Sequence, residues 1–357
     1  MRISIEKTKQ PKKRPTEKEL ADIAFGTTFT DHMLLIDYNE GRGWHDARIV
    51  PYGPLSLQPA STCLHYGQLI FEGLKAYRAR GGSLVMFRPD QNMARMNSSC
   101  ERMCIPKIDE REFAEAIAKL VETDEEWVPS LPATSLYIRP FIISNDAFLG
   151  VHPSSSYMFI VILCPVGAYY KEGLAPVKIY VEDEYVRAVK GGTGFAKCAG
   201  NYAASLKSQV EASEKGYSQV LWLDGVERRN IEEVGAMNVF FVIDGEITTP
   251  ELNGSILPGI TRKSVIELAR SWNVPVAERR IAIDELAAAH SEGKVSEAFG
   301  AGTAAVISPI GEMKWKNAVM RFNDGKIGEI SQRLYDEITG IQTGAREDKF
   351  GWVHKIK

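Results

Sequence analysis

Apolar residues along the chain follow two different periods. Short runs rich in valine, isoleucine, leucine and phenylalanine, bounded by glycine, proline or asparagine, predict strands. These are HMLLIDYNEGRGW with a turn at Asn39–Gly43, its continuation ARIVPYGPLSL, the run LVMFRP, and the stretches SLYIRPFIIS and SSYMFIVILCPVG. The last two read as buried strands, too short and too β-branched for helices. Elsewhere the period lengthens. After Pro89, DQNMARMNSSCERMC places Met93, Met96, Cys100, Met103 and Cys104 on one helical stripe, and Glu110 to Leu120 reads as a second amphipathic helix. Further on, KIYVEDEYVRA restarts a strand, Asn201–Gly216 is expected to be helical, and SQVLWLDG and NVFFVIDGEITTP alternate strand with turn. TRKSVIELARSWN makes a helix entered through Pro258–Gly259, and a mixed stretch runs on to ISPIGEM.

This order is not a regular βαβ repeat, so the fold class is α+β. Between two apolar strands, GAYYKEGLAPV gathers glycines, a proline and charge, which marks a domain boundary. The expected division is a flexible basic arm over residues 1–20, a small N-terminal domain over 21–170, a linker over 171–178 and a larger C-terminal domain over 179–357.

Composition narrows the function classes. With 44% hydrophobic and 25% charged residues, the 357-residue chain is neither disordered, collagen-like nor a disulfide scaffold. Its 43 basic and 46 acidic residues give a net charge of -3, which calls for neither nucleic acid nor an anionic membrane. A small-molecule partner fits better. Cys63, Cys100, Cys104, Cys164 and Cys198 form no CxxC pair, so no metal site is expected and the thiols suit a reducing compartment. The N-terminus lacks the apolar core of a signal peptide, and Tyr157–Val166 falls far short of the roughly 18 to 20 residues of a membrane helix. A cytoplasmic protein with no membrane partner is expected.

Three glycine-rich spots invite a phosphate reading. In GGTGFAK, Lys197 is flanked by Ala196 and Cys198, so the hydroxyl that a P-loop offers to magnesium is missing. The run Gly300–Ala305 matches the loose pattern GxGxxA but leads into the strand-like VISPIG instead of a helix. Pro258–Ser264 does open a helix, whose free N–H groups favour an anion. Lys197 itself sits among glycines and small residues, in a stretch too apolar for a routine surface lysine. Desolvated there, a lysine loses its proton readily and can form a Schiff base. Tyr202, five residues on, sets a phenol within reach of whatever the lysine holds.

Downstream come Glu233-Val-Gly235-Ala-Met-Asn238-Val-Phe240, then Ile247-Thr-Thr249, then Leu257-Pro-Gly-Ile-Thr-Arg262. This long pattern resembles the signature of class IV, fold-type IV, pyridoxal-phosphate aminotransferases. Within that class the chain is similar to branched-chain amino acid aminotransferases from about Asp31 onward. The resemblance rests on YGQLIFEGLKAY, FRPDQNMARM, SLYIRP, VILCPVGAYY, KCAGNYAAS, QVLWLDG, EVGAMN and FGAGTA.

The resemblance implies an α+β enzyme with a small N-terminal domain and a large C-terminal pseudo-barrel domain, its site between them, and a homodimer whose partner loop covers the pocket. It implies pyridoxal 5′-phosphate held covalently by Lys197, with Tyr202 on its O3′ oxygen and Glu233 on its ring nitrogen. Glu232 is the rival carboxylate, but counting from Asn238 puts Gly235 at the small position only for Glu233. Arg95, Ile260, Thr261 and Thr303 match the phosphate cradle; a solvated helix face is the alternative for Arg95. Tyr66, Phe71, Tyr137, Arg139 and Tyr169 match the substrate side-chain pocket, with aromatic core as the bland alternative. Thr303 and Ala304 match the turn that holds the substrate α-carboxylate.

Two positions depart from relatives: Ala236, where some carry threonine, and Ala305–Ser308, which lacks the CxxC of mammalian enzymes. The implied chemistry is ping-pong transfer of an amino group between leucine, isoleucine or valine and 2-oxoglutarate, with Lys197 moving the Cα proton. Tyr137 and Arg139, two apart on a predicted strand, face the same way and are expected to meet glutamate's side-chain carboxylate; pairing of Arg139 with a structural carboxylate is the other reading. D-amino acid aminotransferases and aminodeoxychorismate lyases are the rivals within the class, and a non-enzymatic phosphate or nucleotide binder is the rival outside it.

Overall fold

The two buried runs pair with one another, antiparallel and in unbroken register from Ser135↔Val166 to Ser144↔Tyr157. They anchor the first of two units in a computed structural model that describes residues 1–167 and 174–357. The first unit comprises Met1–Lys171, Ala196–Ala199 and Gly340–Lys357; the second comprises Glu172–Phe195 and Gly200–Thr339.

Strands of the first unit are β1 (Ser4–Ile5), β2 (His32–Asn39), β3 (Gly43–Pro51), β4 (Leu69–Phe71), β5 (Leu74–Arg78), β6 (Leu84–Phe87), β7 (Ser135–Ser144) and β8 (Ser156–Val166). They lie in the order β1-β3-β2-β8-β7-β5-β6, with β4 paired to β7. The helices are α1 (Glu17–Asp22), α2 (Thr62–Tyr66), α3 (Pro89–Arg102) and α4 (Glu110–Thr123). Pro89 opens α3 where a missing N–H costs nothing. The Asp109 side chain caps α4 by accepting from the Glu112 N–H. Met93, Met96 and Cys100 of α3 join Phe113, Ile117 and Leu120 of α4 on the sheet residues Leu34, Ile36, Ile138, Phe159 and Leu163. Burying each large side chain contributes about 1.5–3 kcal/mol. The expected stripe ends early: α3 stops at Arg102, and Cys104 turns into the left-handed region at φ 53° and is exposed.

The N-terminal arm is more ordered than its composition suggests. β1 runs parallel to β3, Thr16 caps α1, and the Thr8 N–H donates to His32 Nε2 at 2.9 Å. Lys12 Nζ donates to the carbonyls of Phe29 and Thr30. The arm's donors find acceptors near the start of β2, a long-range match that charge content cannot reveal.

The second unit contains β9 (Val177–Glu182), β10 (Gln219–Leu223), β11 (Ile231–Val234), β12 (Met237–Ile243), β13 (Glu246–Thr249), β14 (Val276–Glu278), β15 (Val295–Gly302), β16 (Val306–Trp315) and β17 (Ala318–Arg321). Their order is β11-β10-β9-β16-β15-β12-β13-β14, and a further β11–β12 pairing closes the first six into a ring. Parallel pairs (β9 with β10 and β16) mix with antiparallel ones. The helices are α5 (Ala199–Ala203), α6 (Leu206–Glu214), α7 (Ile260–Ser271), α8 (Ile283–Ser291) and α9 (Glu329–Gln342). The helix expected over 201–216 is therefore broken. Ser205 donates from both its N–H and its hydroxyl to the Tyr202 carbonyl, a local bond that competes with the helical ladder.

After α9 the chain adds β18 (Val353–Lys355), antiparallel to β6. The last residues thus count with the first unit, a departure from a simple C-terminal domain over 179–357.

Candidate active site

Between two stretches of the second unit, four residues, Ala196–Ala199, belong to the first. They lie along β4: Cys198 bridges Ile70, and the Phe71 N–H donates to the Lys197 carbonyl at 2.9 Å. The Lys197 N–H donates to Ser99 Oγ on α3 at 2.9 Å, so the lysine's backbone is tied at both ends of the residue. Its Nζ stands 4.9 Å from the centre of the Phe71 ring. Part of the residue stays reachable, but the amine is packed densely enough to lose solvent. That burial, aided by the nearby Arg95 charge and opposed by Glu72, pushes its pKa down from 10.5 to about 8. The neutral amine is therefore far more available near pH 7 than at the ordinary value.

Arg95 lies on the buried side of α3, which disposes of a solvated face. Glu72, fully buried, receives its Nε on Oε1 and its Nη2 on Oε2, both at 2.8 Å, with Asn92 Nδ2 on Oε2 at 2.7 Å. Burial pushes the Glu72 carboxyl up, yet Arg95, Lys197 and Asn92 outweigh it and hold it below its ordinary range.

Tyr137 and Arg139 of β7 share a face, as their spacing requires. Arg139 Nη2 donates to Tyr137 Oη at 3.0 Å, and the guanidinium lies 4.9 Å from the Phe71 ring centre. Among the described residues, Arg139 Nε is enclosed without a hydrogen-bond partner and no carboxylate pairs with this arginine. Gly73 permits the arrangement, since a Cβ there would run into Tyr137 Oη. Phe25 packs edge-on against Tyr137, with ring centres 4.9 Å apart, and Phe29 and Cys164 join the cluster. Tyr66 is placed differently. It is 44% exposed on α2, beside Leu64. Tyr169 lies outside the described residues.

In the second unit, Glu233 sits on β11 opposite Asn238 of β12, which in turn pairs Ala301 of β15. Glu233 Oε1 accepts the Leu257 N–H at 2.7 Å and Oε2 faces Arg187 Nε at 3.2 Å. Asn238 Nδ2 donates to the Leu257 carbonyl at 2.9 Å, and a Cβ on Gly259 would strike the Asn238 amide. These contacts fix the lead-in to α7, whose first residues are Ile260 and Thr261, both buried. Gly259 has no side chain to cap their end of the helix, which suits an anion. Glu232, also buried, turns to Ser255 Oγ and Asn253 Nδ2 instead. Burial raises its pKa despite those bonds.

Thr303 and Ala304 form the turn after β15, and Val306, pairing back on Gly302, closes it at φ 63°. A β-branched residue there is strained, as backbones at functional sites often are. Gly300 and Gly302 are kept bare by Met237, whose side chain a Cβ on either would crowd. Tyr202 is half-buried on α5.

The structure thus groups Phe71, Arg95, Tyr137, Arg139 and Lys197 in one unit and Tyr202, Glu233, Ile260, Thr261, Thr303 and Ala304 in the other. Sequence reasoning missed Glu72, Asn92, Ser99, Phe25 and Arg187. Glu72 had a signal: it is the acid inside the otherwise apolar run LIFEGL. Arg187, in a mixed stretch with Glu182–Glu184, had none.

Residues 69–313 match the family model described as amino-transferase class IV. The chain is 56% identical over 356 residues to branched-chain-amino-acid aminotransferase 2 of Bacillus subtilis (strain 168), covering 100% of this chain and 97% of that one. Among solved structures it resembles the Escherichia coli branched-chain amino acid aminotransferase, with TM-score 0.74, 28% identity and coverage of 92% and 99%. It also resembles the branched-chain aminotransferase of the thermophilic archaeon Thermoproteus uzoniensis with norvaline, with TM-score 0.74, 26% identity and coverage of 91% and 100%.

Proposed function

The chain belongs to the class IV aminotransferases, and from that membership we infer a branched-chain-amino-acid transaminase that uses pyridoxal 5′-phosphate to pass amino groups between leucine, isoleucine or valine and 2-oxoglutarate. One observation carries the substrate reading: Arg139, half-buried with its Nε enclosed and paired with no carboxylate among the described residues, shares a phenylalanine ring with Lys197, whose amine burial pushes down to about 8. An apolar pocket alone strands glutamate's second carboxylate without a counter-charge.

The residues present fit the cofactor. In the first unit Lys197 offers an amine for its aldehyde and Arg95 a positive charge for its phosphate; in the second the start of α7 offers N–H groups for a phosphate and Glu233 a fixed carboxylate for a ring nitrogen. When bound, the cofactor supplies an electron-accepting ring that stabilises the charge left as the Cα proton departs. Lys197 Nζ is the base for that proton. Phe71 gives an apolar face to a branched side chain, while Arg139 and the Tyr137 hydroxyl hold the glutamate carboxylate. The Thr303–Ala304 turn orients the α-carboxylate.

A homodimer is supported by an exposed apolar patch: Leu64, Tyr66, Phe148, Leu149 and Val151, at 44–87% exposure, on two segments joined by a Ser61↔Ala147 bridge. A second copy is the natural cover for so much apolar surface on linked segments. We place the protein in the cytoplasm, where Cys63, Cys100, Cys104, Cys164 and Cys198 stay as the free thiols observed. Among the described residues no helix is long and apolar enough to cross a membrane.

Profiling amino donors against 2-oxoglutarate tests the function. Leucine, isoleucine and valine should turn over far faster than alanine or D-amino acids. Preference for D-alanine, or release of an aromatic amine from aminodeoxychorismate, contradicts the reading.

A further inference from the structure

Arg187 precedes Lys197 by ten residues and is buried at 8% exposure. Its Nη2 donates to two carbonyls, Gly194 at 3.1 Å and Ser255 at a shorter distance, while its buried Nε forms an ion pair with Glu233 Oε2 at 3.2 Å, outside the alignment of a hydrogen bond. One guanidinium therefore joins three segments of the second unit: the Gly194 turn, the lead-in to α7, and β11 with Glu233. The meeting is tight. A Cβ on Gly194 would run into the Ser255 carbonyl and the Ala188 side chain, so glycine is required where the first two segments touch.

Two adjacent buried carboxylates compete for this cation. Glu232 takes Ser255 Oγ and Asn253 Nδ2 on Oε1, its Oε2 has no described partner, and burial favours its neutral form. With Glu232 turned to Ser255 and Asn253, the arginine's ion pair goes to Glu233, whose other oxygen is pinned by the Leu257 N–H. An anion held by a charged partner and a backbone donor keeps both its charge and its aim.

We propose that Arg187 is a positioning residue for the reaction, holding Glu233 as a fixed carboxylate toward the ring nitrogen of the cofactor while tethering the Gly194 segment and the α7 lead-in to it. This rests on the transaminase reading above. A merely structural brace is the competing role, and it predicts loss of stability without any change at the nitrogen.

The test uses the full-length protein loaded with 15N-labelled pyridoxal phosphate, whose nitrogen chemical shift reports ring protonation without turnover. Arg187→Gln should move the shift toward the unprotonated value, as Glu233→Gln does, and slow the single-turnover reaction with leucine about tenfold to a hundredfold. Arg187→Lys should restore most of both, and Glu232→Gln should leave the shift unchanged. If Arg187→Gln does not fold, the cycle of Arg187→Met with Glu233→Gln decides: the methionine variant should lose rate alone but cost no further rate once Glu233 is neutral. A wild-type nitrogen shift in Arg187→Gln, or fully additive losses in the cycle, overturns the proposal. Failure of the wild-type protein to bind the cofactor or to convert leucine instead defeats the transaminase reading.

Discussion

Arg95 and Glu72 are locked together by two parallel hydrogen bonds of 2.8 Å, Nε to Oε1 and Nη2 to Oε2, with both side chains buried. Such a fork is directional as well as strong. It fixes the plane of the guanidinium. Glu72→Ala removes the bidentate carboxylate from a buried cation and is expected to cost about 3–5 kcal/mol of stability in the cofactor-free protein. Chemical denaturation measures it. A loss under about 1 kcal/mol, the range of an exposed pair, means that the pair is solvated or dispensable.

The same carboxylate opposes the fall in the Lys197 pKa, which Arg95 and burial drive. The neutral amine is the nucleophile, so the rate at which the cofactor-free protein captures pyridoxal phosphate should climb with pH and level off above about 8. Folding has the matching sign. A lysine with a folded pKa below its unfolded value binds fewer protons when folded, so its contribution to stability rises between about 8 and 10.5. Glu72→Gln should shift the capture profile to lower pH. A midpoint near 10.5 contradicts the desolvated amine.

Glu233 and Glu232 are separated by their partners. Glu233 has the Leu257 N–H and Arg187, and Glu232 has Ser255 and Asn253. Glu233→Gln should slow Cα proton removal about a hundredfold or more while cofactor binding changes little. Glu232→Gln should affect the rate far less. A larger loss in Glu232→Gln in single-turnover kinetics reverses the assignment.

Arg139→Met should impair the half-reaction with glutamate severely and leave that with leucine nearly intact. The expected loss is on the order of a hundredfold, the cost of a missing charged hydrogen bond of about 3 kcal/mol. Equal losses in both half-reactions, with a lowered melting temperature, point to a structural arginine.

What the chain's pattern revealed was local. The β7–β8 pair, the α3 and α4 stripes and the entry to α7 at Gly259 follow from periods of two and 3.6 and from end signals. Lys197 stood out because a charge amid small residues is costly unless used. Long-range arrangements stayed hidden. Nothing near Val353 says that it pairs with Phe87, and nothing near Ser205 outweighs a helical pattern except its own hydroxyl. At the site, Glu72 and Arg187 were overlooked for the same reason: each acts through a partner 23 to 68 residues away. Tyr66 shows the converse. Its exposure on α2 is the environment of a residue waiting for another surface, which a tyrosine in a motif does not disclose.

One rival to Lys197 has emerged from the structure. Lys75 on β5 is also desolvated, and burial alone lowers its pKa from 10.5 to about 8, so a depressed amine does not by itself identify the cofactor's lysine. Borohydride reduction of the cofactor-loaded protein followed by peptide mapping separates the two. The geometry at Phe71, Ser99 and Arg95 predicts a single pyridoxyl label on Lys197 and loss of visible absorbance in step with activity. A label on Lys75, or on any lysine other than Lys197, contradicts the account.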